Sequence, residues 1–359
     1  MKILEIIPSL QSGGAEKFVV DLTNEFSDRG HDCIIVTFFE LGSKDIFKSF
    51  ISQKVKLVSL GKRLGFDIKC LYKLYKFIRS EKPDVVHAHI GGITYLILAV
   101  FFYRKCKYFA TIHNDAKVEA GGGFHRLIRN LFFKYKLVTP ITISEESEFS
   151  FQQYYGTSGI LIPNGCAPYQ PTDIMIEEDY RKGVDFLFVH VASIQPSKNQ
   201  IVLVKAFKKL LDDGIKARML MLGRNSNDEI FNELKPYFSE NIIHIGEHSN
   251  PRAFMDMSDA FCLSSLWEGM PISIIEAFSV GCPPIATPVG GCANMIGDGV
   301  NGILAEGTSE DCFYQALKRF TALNKQERNL IADNAYKTYV EKYSIVKATD
   351  TYQRLFHNK

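Results

Sequence analysis

Residues 260–286, AFCLSSLWEGMPISIIEAFSVGCPPIA, contain a complete strand–helix–strand unit. The short apolar runs Ala260–Leu263 and Pro284–Ala286 predict two buried strands, and Pro271–Val280 predicts the helix between them. Two neighbouring strands joined by a crossover helix run parallel, because the helix returns the chain to the end of the sheet where it started. The stretch therefore predicts an α/β fold built on a parallel sheet.

Apolar runs of the same kind continue on both sides of this unit. Upstream, the predicted strands are Ile3–Ile7, Cys33–Phe39, Val85–His87, Phe109–Ile112 and Val138–Ile143. The second half of the chain, which includes the unit itself, contains the predicted strands Phe186–Ala192, Met219–Leu222, Ile242–Ile245, Ala260–Leu263, Pro284–Ala286 and Ile303–Ala305. Amphipathic stretches separate most of these runs, as expected of helices on both faces of a sheet. Because the polar, proline-containing residues 163–185 interrupt the pattern like a linker, we predict two doubly wound domains, 1–165 and 183–342.

The composition is that of a globular protein with nearly balanced charge. The 359 residues include 42 Lys+Arg and 40 Asp+Glu, and 46% of them are hydrophobic, which excludes a disordered or collagen-like chain. No strong overall basic field exists to neutralise phosphates, so we do not expect nucleic acid as a partner. The eight cysteines are scattered without a C-x-x-C pair, which disfavours a disulfide framework or zinc site and favours a reducing cytoplasm.

Neither a signal peptide nor a membrane span is predicted. Glu5 and Pro8 interrupt the apolar N-terminus, and the longest apolar run, Ile93–Tyr103, is too short to cross a bilayer. We therefore expect a cytoplasmic protein, with the inner face of the plasma membrane as an alternative site.

Two loops that follow predicted strands could bind a phosphate group. Gly13 and Gly14 lie between the first strand and the first helix, where backbone N–H groups and the helix dipole favour an anion. Pro196 and Ser197 are typical of a helix start, which places Lys198 in the first turn. A lysine there is unfavourable for the helix dipole unless it meets a bound anion. An ordinary strand–helix turn and a surface lysine are the alternatives.

The loop and helix of the opening stretch carry two glutamates at a spacing of eight. Pro271 suits the first helical position, so Glu268 precedes the helix and Glu276 lies in its second turn. Apolar residues flank Glu276 on both sides, and a carboxylate in such surroundings needs hydrogen-bond donors. A ribose diol could supply them, as could a structural backbone or arginine partner. Glu268 could reach a sugar ring.

Other motifs are weak or missing. Residues 297–302 match G-x-G-x-x-G, but they precede a strand and no acidic residue follows at the required distance, so we interpret them as a turn. The sequence contains no P-loop and no Asp-x-Asp pair to hold a divalent cation, and we predict no metal site and no cofactor.

Taken together, these segments resemble retaining glycosyltransferases of family 4. The resemblance covers nearly the whole chain and rests on Gly13–Glu16, Pro83–His89, Thr111–Asp115, Ile162–Gly165, Lys198–Asn199, Ser265–Ala277 and Thr287–Gly291. It implies a GT-B fold, in which two Rossmann-like domains face a central cleft. It also implies that a C-terminal helix at about 343–359 packs back on the first domain.

The resemblance further implies roles for single residues. The implied catalytic residues are Glu268, His113 and Lys198, with His113 on the acceptor-side domain near the sugar. The implied donor-binding residues are Gly13, Gly14, Lys198, Gly269, Met270, Pro271 and Glu276. Among these, Lys198 neutralises the donor diphosphate and Glu276 binds the ribose.

The sequence differs from the family pattern at one position, where a positively charged residue is missing. Similar proteins carry arginine five residues before the lysine, where this sequence has Ser193. Arg224, in the loop after the strand Met219–Leu222, is a candidate replacement and a further substrate-binding residue. Because stabilisation of the leaving diphosphate is the main contribution to the rate, the departure bears directly on activity.

Three functions remain open on these grounds. The first is a retaining, metal-independent glycosyltransferase that moves a sugar from a nucleotide diphosphate sugar, UDP-sugar before GDP-sugar, to a hydroxyl of a glycan or lipid-linked acceptor. Similar proteins serve bacterial capsule, lipopolysaccharide and exopolysaccharide synthesis. The alternatives are a nucleotide-sugar epimerase of the same architecture and a non-catalytic nucleotide-sugar-binding subunit.

A basic, aromatic segment suggests contact with an anionic membrane. Residues 100–140 contain eight basic and two acidic residues. On a helix, one face would carry Phe124, Leu127, Ile128, Leu131 and Phe132. Basic side chains at its rim would be Arg126, Arg129, Lys134 and Lys136. This composition is typical of a helix lying in a lipid interface, although the apolar face could equally pack on the sheet.

Overall fold

In the computed structural model, the chain folds into two compact units. Unit 1 comprises Met1–Ala167 and Tyr343–Lys359, and unit 2 comprises Pro168–Lys342. The structure describes residues 1–11, 13–171, 176 and 178–358, so residues 172–175 and 177 of the predicted linker lie outside the described residues.

Unit 1 alternates strands and helices from its first residues. Its strands are β1 (Lys2–Ile7), β2 (Asp32–Thr37), β3 (Lys56–Ser59), β4 (Val85–His89), β5 (Lys107–Ile112), β6 (Thr139–Thr142) and β7 (Ile160–Leu161). Its helices are α1 (Gly14–Asp28), α2 (Ile68–Glu81), α3 (Ile97–Phe102), α4 (Ala116–Ala120), α5 (Gly123–Lys134), α6 (Glu145–Tyr155) and the C-terminal helix Ile345–Asn358. Short 3-10 turns span Ile46–Phe50 and Ile90–Leu96.

The seven strands form one parallel sheet in the order β3-β2-β1-β4-β5-β6-β7. The strand order reverses between β1 and β4, which is where doubly wound sheets bind their ligands. Hydrophobic clusters cover both faces of the sheet, which explains why β1 is apolar at nearly every position.

The C-terminal helix belongs to this core. Tyr352 and Phe356 are buried among β1, α1 and β5, and Arg29 on α1 forms an ion pair of 2.7 Å with Asp350. Full burial of a side chain such as Phe356 contributes roughly 2–3 kcal/mol to the free energy of folding. The last helix is therefore an integral part of unit 1.

Unit 2 repeats the same plan. Its strands are β8 (Phe186–Val191), β9 (Ala217–Leu222), β10 (Ile242–Gly246), β11 (Ala260–Leu263), β12 (Pro284–Ala286) and β13 (Ile303–Leu304). Its helices are α7 (Gln200–Asp212), α8 (Asp228–Leu234), α9 (Pro251–Asp256), α10 (Ile272–Ser279), α11 (Gly291–Met295), α12 (Glu310–Ala322) and α13 (Lys325–Thr338). Single 3-10 turns span Pro196–Lys198 and Lys235–Tyr237, and a π-helical turn spans Tyr339–Tyr343.

The six strands of unit 2 are parallel in the order β10-β9-β8-β11-β12-β13, with the reversal between β8 and β11. The two parallel sheets confirm the predicted α/β fold class. The G-x-G-x-x-G match at 297–302 forms a turn that leads into β13, as predicted.

The structure differs from the predicted elements in a few places. Strands β3 and β7 were not predicted, because both are short sheet edges with only partly buried residues. The sequence pattern predicts one helix over Thr94–Arg104, but these residues form the end of the 3-10 turn Ile90–Leu96 followed by the short α3.

Candidate active site

The loops after β8 and β11 lie side by side at the carboxyl edge of the unit 2 sheet. Lys198 follows β8, and Glu268 follows β11, so the two residues stand on either side of the strand reversal. The structure brings them together: Nζ of Lys198 lies 2.6 Å from Oε1 of Glu268. The Lys198 side chain keeps 20% of its surface exposed, whereas Glu268 keeps 8%. The accessible ammonium group can therefore meet an anion at the edge of the sheet.

A set of short hydrogen bonds fixes Glu268. The hydroxyl of Ser265 donates to Oε1 of Glu268 at 2.5 Å, and the hydroxyl of Thr287 donates to the carbonyl of Ser265 at 2.6 Å. The hydroxyl of Ser264 donates to the carbonyl of Lys198, which ties the two loops together. The position of the carboxylate is thus set by side chains that the sequence did not identify as functional.

Two glycines let a third loop approach Glu268. The backbone N–H of Gly291 donates to the carbonyl of Glu268 at 3.2 Å. A Cβ atom on Gly290 would collide with that carbonyl oxygen, and one on Gly291 would collide with the carbonyl of Gly269. Gly290 also has a φ of 46°, which disfavours any other residue. The segment Thr287–Gly291, one of those that carry the family resemblance, therefore packs against the loop of Glu268 and holds it in place.

Lys198 is not in the first turn of an α-helix, contrary to the sequence prediction. It ends the 3-10 turn Pro196–Lys198, and Asn199, with a φ of 53°, separates that turn from α7. The expected cost of a cation in a helix N-terminus therefore does not apply, and the pairing with Glu268 accounts for its position. Lys198 remains a predicted diphosphate ligand on the grounds of charge and place in the fold.

Glu276, the second glutamate of the pair, is less buried than the apolar residues on both sides of it in the sequence predict. Pro271 is the N-cap of α10 rather than its first residue, and Glu276 lies in the second turn as predicted. The flanking Ile275 and Ala277 are fully buried, but Glu276 itself is only partly buried because helical periodicity turns it toward the edge. Its carboxylate is therefore less desolvated than the apolar neighbours indicate, and the predicted ribose contact stays a prediction. Gly269 and Met270 are also partly exposed.

The loop with Arg224 lies next to the loop with Ser193. The N–H of Ile194 donates to the carbonyl of Arg224 at 2.9 Å, and the N–H of Ser226 donates to the carbonyl of Ile194. A Cβ atom on Gly223 would collide with the carbonyl of Ala192, so glycine is required for this approach. Arg224 is exposed, and among the described residues its guanidinium donates only through Nε to the hydroxyl of Ser226, which leaves most of its N–H groups available to a ligand.

Unit 1 presents its own candidate residues at the carboxyl edge of its sheet. Gly13 is the N-cap of α1 and Gly14 its first residue, at the end of the loop that follows β1. A Cβ atom on Gly13 would collide with the carboxylate of Glu16, which curls back over the start of the helix. The helix start therefore already carries one negative charge, and a diphosphate there would have to displace or share the place of Glu16.

His113 directly follows β5 and is almost buried. Its Nε2 lies 2.9 Å from Nδ1 of His89, and its ring lies 6.3 Å from the ring of Phe18 on α1. Glu119 accepts hydrogen bonds from the backbone N–H groups of His113 and Asn114. Both the ring and the backbone of His113 are thus held at the edge of the sheet.

Arg129 is buried and is not part of a basic rim, contrary to the sequence prediction. Its Nη1 lies 3.6 Å from Oε1 of Glu119, and its Nη2 donates to the carbonyl of Ile90 at 3.1 Å. Burial raises the pKa of Glu119 to about 7, and the charge of Arg129 opposes this effect. Because Ile90 has an unfavourable φ of 53°, this bond supports a strained turn after β4.

The remaining residues of α5 divide between core and surface. Ile128 and Phe132 are buried in the unit 1 core, so most of the predicted apolar face packs on the sheet. Phe124 and Leu127 are exposed, together with Arg126, Lys134, Tyr135 and Lys136. We call these six exposed residues the α5 surface. Within the described part of the chain, no helix is long and apolar enough to traverse a bilayer.

Family comparisons agree with this architecture. Residues 12–168 match the family model described as Glycosyltransferase Family 4. Residues 174–338 match the model described as Glycosyl transferases group 1. The boundary between the two matches falls in the segment that joins the two units.

Three similar proteins illustrate the likeness. The UDP-Gal:alpha-D-GlcNAc-diphosphoundecaprenol alpha-1,3-galactosyltransferase of Escherichia coli is 26% identical over 81% of this chain and 79% of that protein. The capsular polysaccharide biosynthesis glycosyltransferase CapM of Staphylococcus aureus is 22% identical over 77% of each. The solved structure of Anabaena Alr3699/HepE in complex with UDP has a TM-score of 0.82 over 100% of both chains, at 19% identity. This structural likeness confirms the fold.

Proposed function

The chain belongs to the group 1 glycosyltransferases, and we propose that it transfers a sugar from a UDP-sugar to a hydroxyl of a lipid-linked glycan, with retention at the anomeric carbon and without a metal ion. The observation that carries the proposal is the pairing of Lys198 with Glu268 at the strand reversal of unit 2. Carboxylates bind sugar hydroxyls, and an ammonium group neutralises a phosphate, so the pair combines the two chemistries that a nucleotide-sugar donor requires.

In the proposed reaction, the bond between the anomeric carbon and the diphosphate oxygen breaks while the acceptor hydroxyl attacks from the same face. Negative charge develops on the departing diphosphate, and Lys198 stabilises it there. Arg224 supplies a second positive charge from the neighbouring loop. It replaces the arginine that similar proteins carry at the position of Ser193. The proton of the acceptor hydroxyl passes to the departing phosphate oxygen, so no protein nucleophile is needed.

The identity of donor and acceptor class is supported by the relatives. The E. coli relative is named for UDP-Gal and a diphosphoundecaprenol acceptor, and the Anabaena structure holds UDP. We infer from these names a UDP-sugar donor, an undecaprenyl-diphosphate-linked acceptor and a role in bacterial surface-glycan synthesis. With such an acceptor, we expect the reaction at the cytoplasmic face of the plasma membrane.

A transfer assay tests this proposal. We expect the purified protein to convert UDP-galactose, UDP-glucose or UDP-N-acetylglucosamine and a GlcNAc-diphospho-lipid into a product with an α-linkage, seen by proton NMR. Activity in EDTA should equal that in Mg²⁺. A β-linked product would refute retention, and loss of activity in EDTA would refute metal independence. Isomerisation of the donor without acceptor would indicate an epimerase, and donor binding without transfer or hydrolysis would indicate a non-catalytic subunit.

We further propose that the α5 surface contacts anionic lipid. Phe124 and Leu127 offer apolar side chains to the headgroup region, and Arg126, Lys134 and Lys136 lie on the same short segment. Each basic residue close to an anionic surface contributes about 1 kcal/mol to binding. Arg129 contributes nothing, because it is buried against Glu119.

Neutralising the α5 surface should weaken vesicle binding. We expect the triple variant Arg126→Ser, Lys134→Ser, Lys136→Ser to sediment at least about 10-fold less with phosphatidylglycerol vesicles than the unmodified protein. The matched control replaces three exposed lysines of unit 2, Lys208, Lys216 and Lys325, by serine. It removes the same charge and should retain binding. Equal loss in both triple variants, or binding that is insensitive to salt, would contradict a specific surface.

A further inference from the structure

A chain of buried polar side chains runs along one face of the unit 1 sheet and ends at His113. Glu5 on β1 pairs in register with His87 on β4, and His89 lies two residues further on the same face. His89 is in turn opposite Thr111 on β5, two residues before His113. Because side chains alternate along a strand, all five point to the same side of the sheet.

The distances in this chain are those of hydrogen bonds. Nε2 of His89 lies 2.8 Å from Oε2 of Glu5, and Nδ1 of His89 lies 2.9 Å from Nε2 of His113. Glu5 and His89 have no exposed surface, and His113 retains 7%. The chain therefore reaches from the interior of the sheet to its accessible edge.

The protonation states follow from the surroundings. Burial opposes ionisation of Glu5, but its interactions with His87 and His89 outweigh this effect and lower the pKa of the carboxyl to about 2. Burial lowers the pKa of His89 to about 4 and that of His113 well below its usual value. At neutral pH Glu5 is thus a carboxylate, and His89 and His113 are neutral imidazoles.

These states fix the positions of the ring protons of His89 and His113. A carboxylate only accepts hydrogen bonds, so the single N–H of His89 must be on Nε2, where it donates to Glu5. Nδ1 of His89 is then an acceptor, and the N–H of His113 must be on Nε2, where it donates to His89. Nδ1 of His113 is left with a lone pair, and none of the described residues donates a hydrogen bond to it.

We propose that Glu5 and His89 are positioning residues that hold His113 as the tautomer with a free Nδ1 lone pair, which accepts a hydrogen bond from a sugar hydroxyl. The sugar as ligand rests on the proposed function, but the tautomer does not. In this state His113 cannot donate to a phosphate oxygen, so it selects a hydroxyl group over an anion. It is a hydrogen-bond acceptor rather than the residue that neutralises the leaving group.

A metal ion bound to these side chains would favour the opposite tautomers of His89 and His113. Among the described residues, Glu5, His87 and His89 form the one group whose ligand atoms are close enough together to hold a metal. A metal bound to Nε2 of His89 would move its proton to Nδ1, which would then donate to His113 and place the His113 proton on Nδ1. The tautomer of His113 therefore distinguishes a hydrogen-bonded chain from a metal site.

The experiment is nitrogen NMR of the full-length protein labelled with ¹⁵N-histidine at pH 7. Signals of His89 and His113 are assigned with His89→Gln and His113→Gln variants. We expect both residues to carry the proton on Nε2 and to leave Nδ1 unprotonated. A protonated Nδ1 on His113 would overturn the proposal, and stoichiometric metal in the same sample would explain such a result. This measurement on the unmodified protein needs neither activity nor a folded variant of Glu5.

Two variants test the role of Glu5. Glu5→Leu fills similar space without an acceptor, so His89 and His113 should exchange between tautomers and both nitrogens of His113 should shift. The control, Tyr352→Phe, removes a hydroxyl from the other branch of the cluster, where Tyr352 lies 3.2 Å from Thr111, and should leave His113 unchanged. An unchanged His113 in a folded Glu5→Leu protein, or equal shifts in both variants, would overturn the role of Glu5.

Donor analogues test the hydroxyl contact. With UDP-sugars that each lack one hydroxyl, the unmodified enzyme should lose about 10-fold in kcat/KM for one particular deoxy position. The His113→Phe and Glu5→Leu variants should have a lower kcat/KM for the complete sugar. In both variants, the complete sugar and that deoxy sugar should have the same kcat/KM. If all deoxy sugars affect the three proteins equally, His113 contacts no sugar hydroxyl. If no transfer occurs with any UDP-sugar, the proposed function fails while the tautomer result stands.

Discussion

Replacing Lys198 by methionine is expected to lower kcat for sugar transfer by at least about 100-fold. The change removes the positive charge at the strand reversal of unit 2 and retains the length of the side chain. Charge on the departing diphosphate develops mainly in the transition state, so the loss should appear in kcat more than in KM. Removal of one such stabilising group typically costs 10²–10³ in rate. Arg224 is the second cation proposed for the same diphosphate, so the remaining activity of Lys198→Met measures what Arg224 supplies alone.

The matched control is Lys209→Met. Lys209 lies on α7 in the same unit and forms an ion pair of 2.7 Å with Glu310 at the surface. It should retain activity to within about twofold, since exposed pairs contribute little. The fluorescence of Trp267, the single tryptophan of the chain and half exposed beside Glu268, reports donor binding independently of turnover. Equal kcat in Lys198→Met and Lys209→Met, with donor binding intact, would exclude Lys198 from catalysis.

Glu268→Gln separates the two members of the pair. Glutamine keeps an oxygen that can accept the hydrogen bond from Ser265 but loses the charge that faces Lys198. We expect weaker donor binding together with a lower kcat, because in the proposed donor complex the carboxylate contacts the sugar in both the ground state and the transition state. The same fold loss in kcat for Lys198→Met and for the double variant would show that the two residues act as a unit.

The sequence was sufficient to predict the architecture because burial on both faces of a parallel sheet leaves a strong local signal. β1, β8 and β11 are mostly apolar runs, interrupted inside the strand only by Glu5 in β1 and His190 in β8, and their boundaries are predicted to within two residues. The edge strands β3 and β7 leave no such signal, since a strand with one neighbour needs little apolar surface. Lys198 and Glu268 could also be placed, because both follow apolar strands whose carboxyl ends meet at one edge of the sheet.

The features that the sequence did not predict depend on contacts between residues that are far apart along the chain. Arg129 has the helical spacing of a surface residue, and only the fold shows that Glu119 and Ile90 enclose it. The buried chain at His113 did leave a signal that could have been used. Glu5 is a charged residue inside an apolar strand, and His87 and His89 are two apart, which places them on one face. What the sequence could not supply was the register that brings Glu5 next to them.

The close approach of Gly290 and Gly291 to the loop of Glu268 is another contact between residues distant along the chain, which the sequence alone does not reveal. Gly290→Ala is expected to destabilise unit 2 by about 3 kcal/mol and to lower kcat about 100-fold. A Cβ atom at this position meets the carbonyl of Glu268, so the loop that carries the carboxylate has to move. A displacement of about 1 Å in a positioning element can cost 10²-fold in rate.

Gly299→Ala separates this collision from the strain of a positive φ. Gly299 has a φ of 72° in the turn before β13, and no heavy atom lies within 4 Å of the position of its Cβ. Alanine there should cost only about 1–2 kcal/mol, the ordinary price of the left-handed conformation, and leave kcat unchanged. Urea unfolding and initial-rate kinetics on both variants provide the comparison. Equal effects of the two substitutions would mean that strain alone acts at Gly290, and that its loop does not determine where the carboxylate of Glu268 lies.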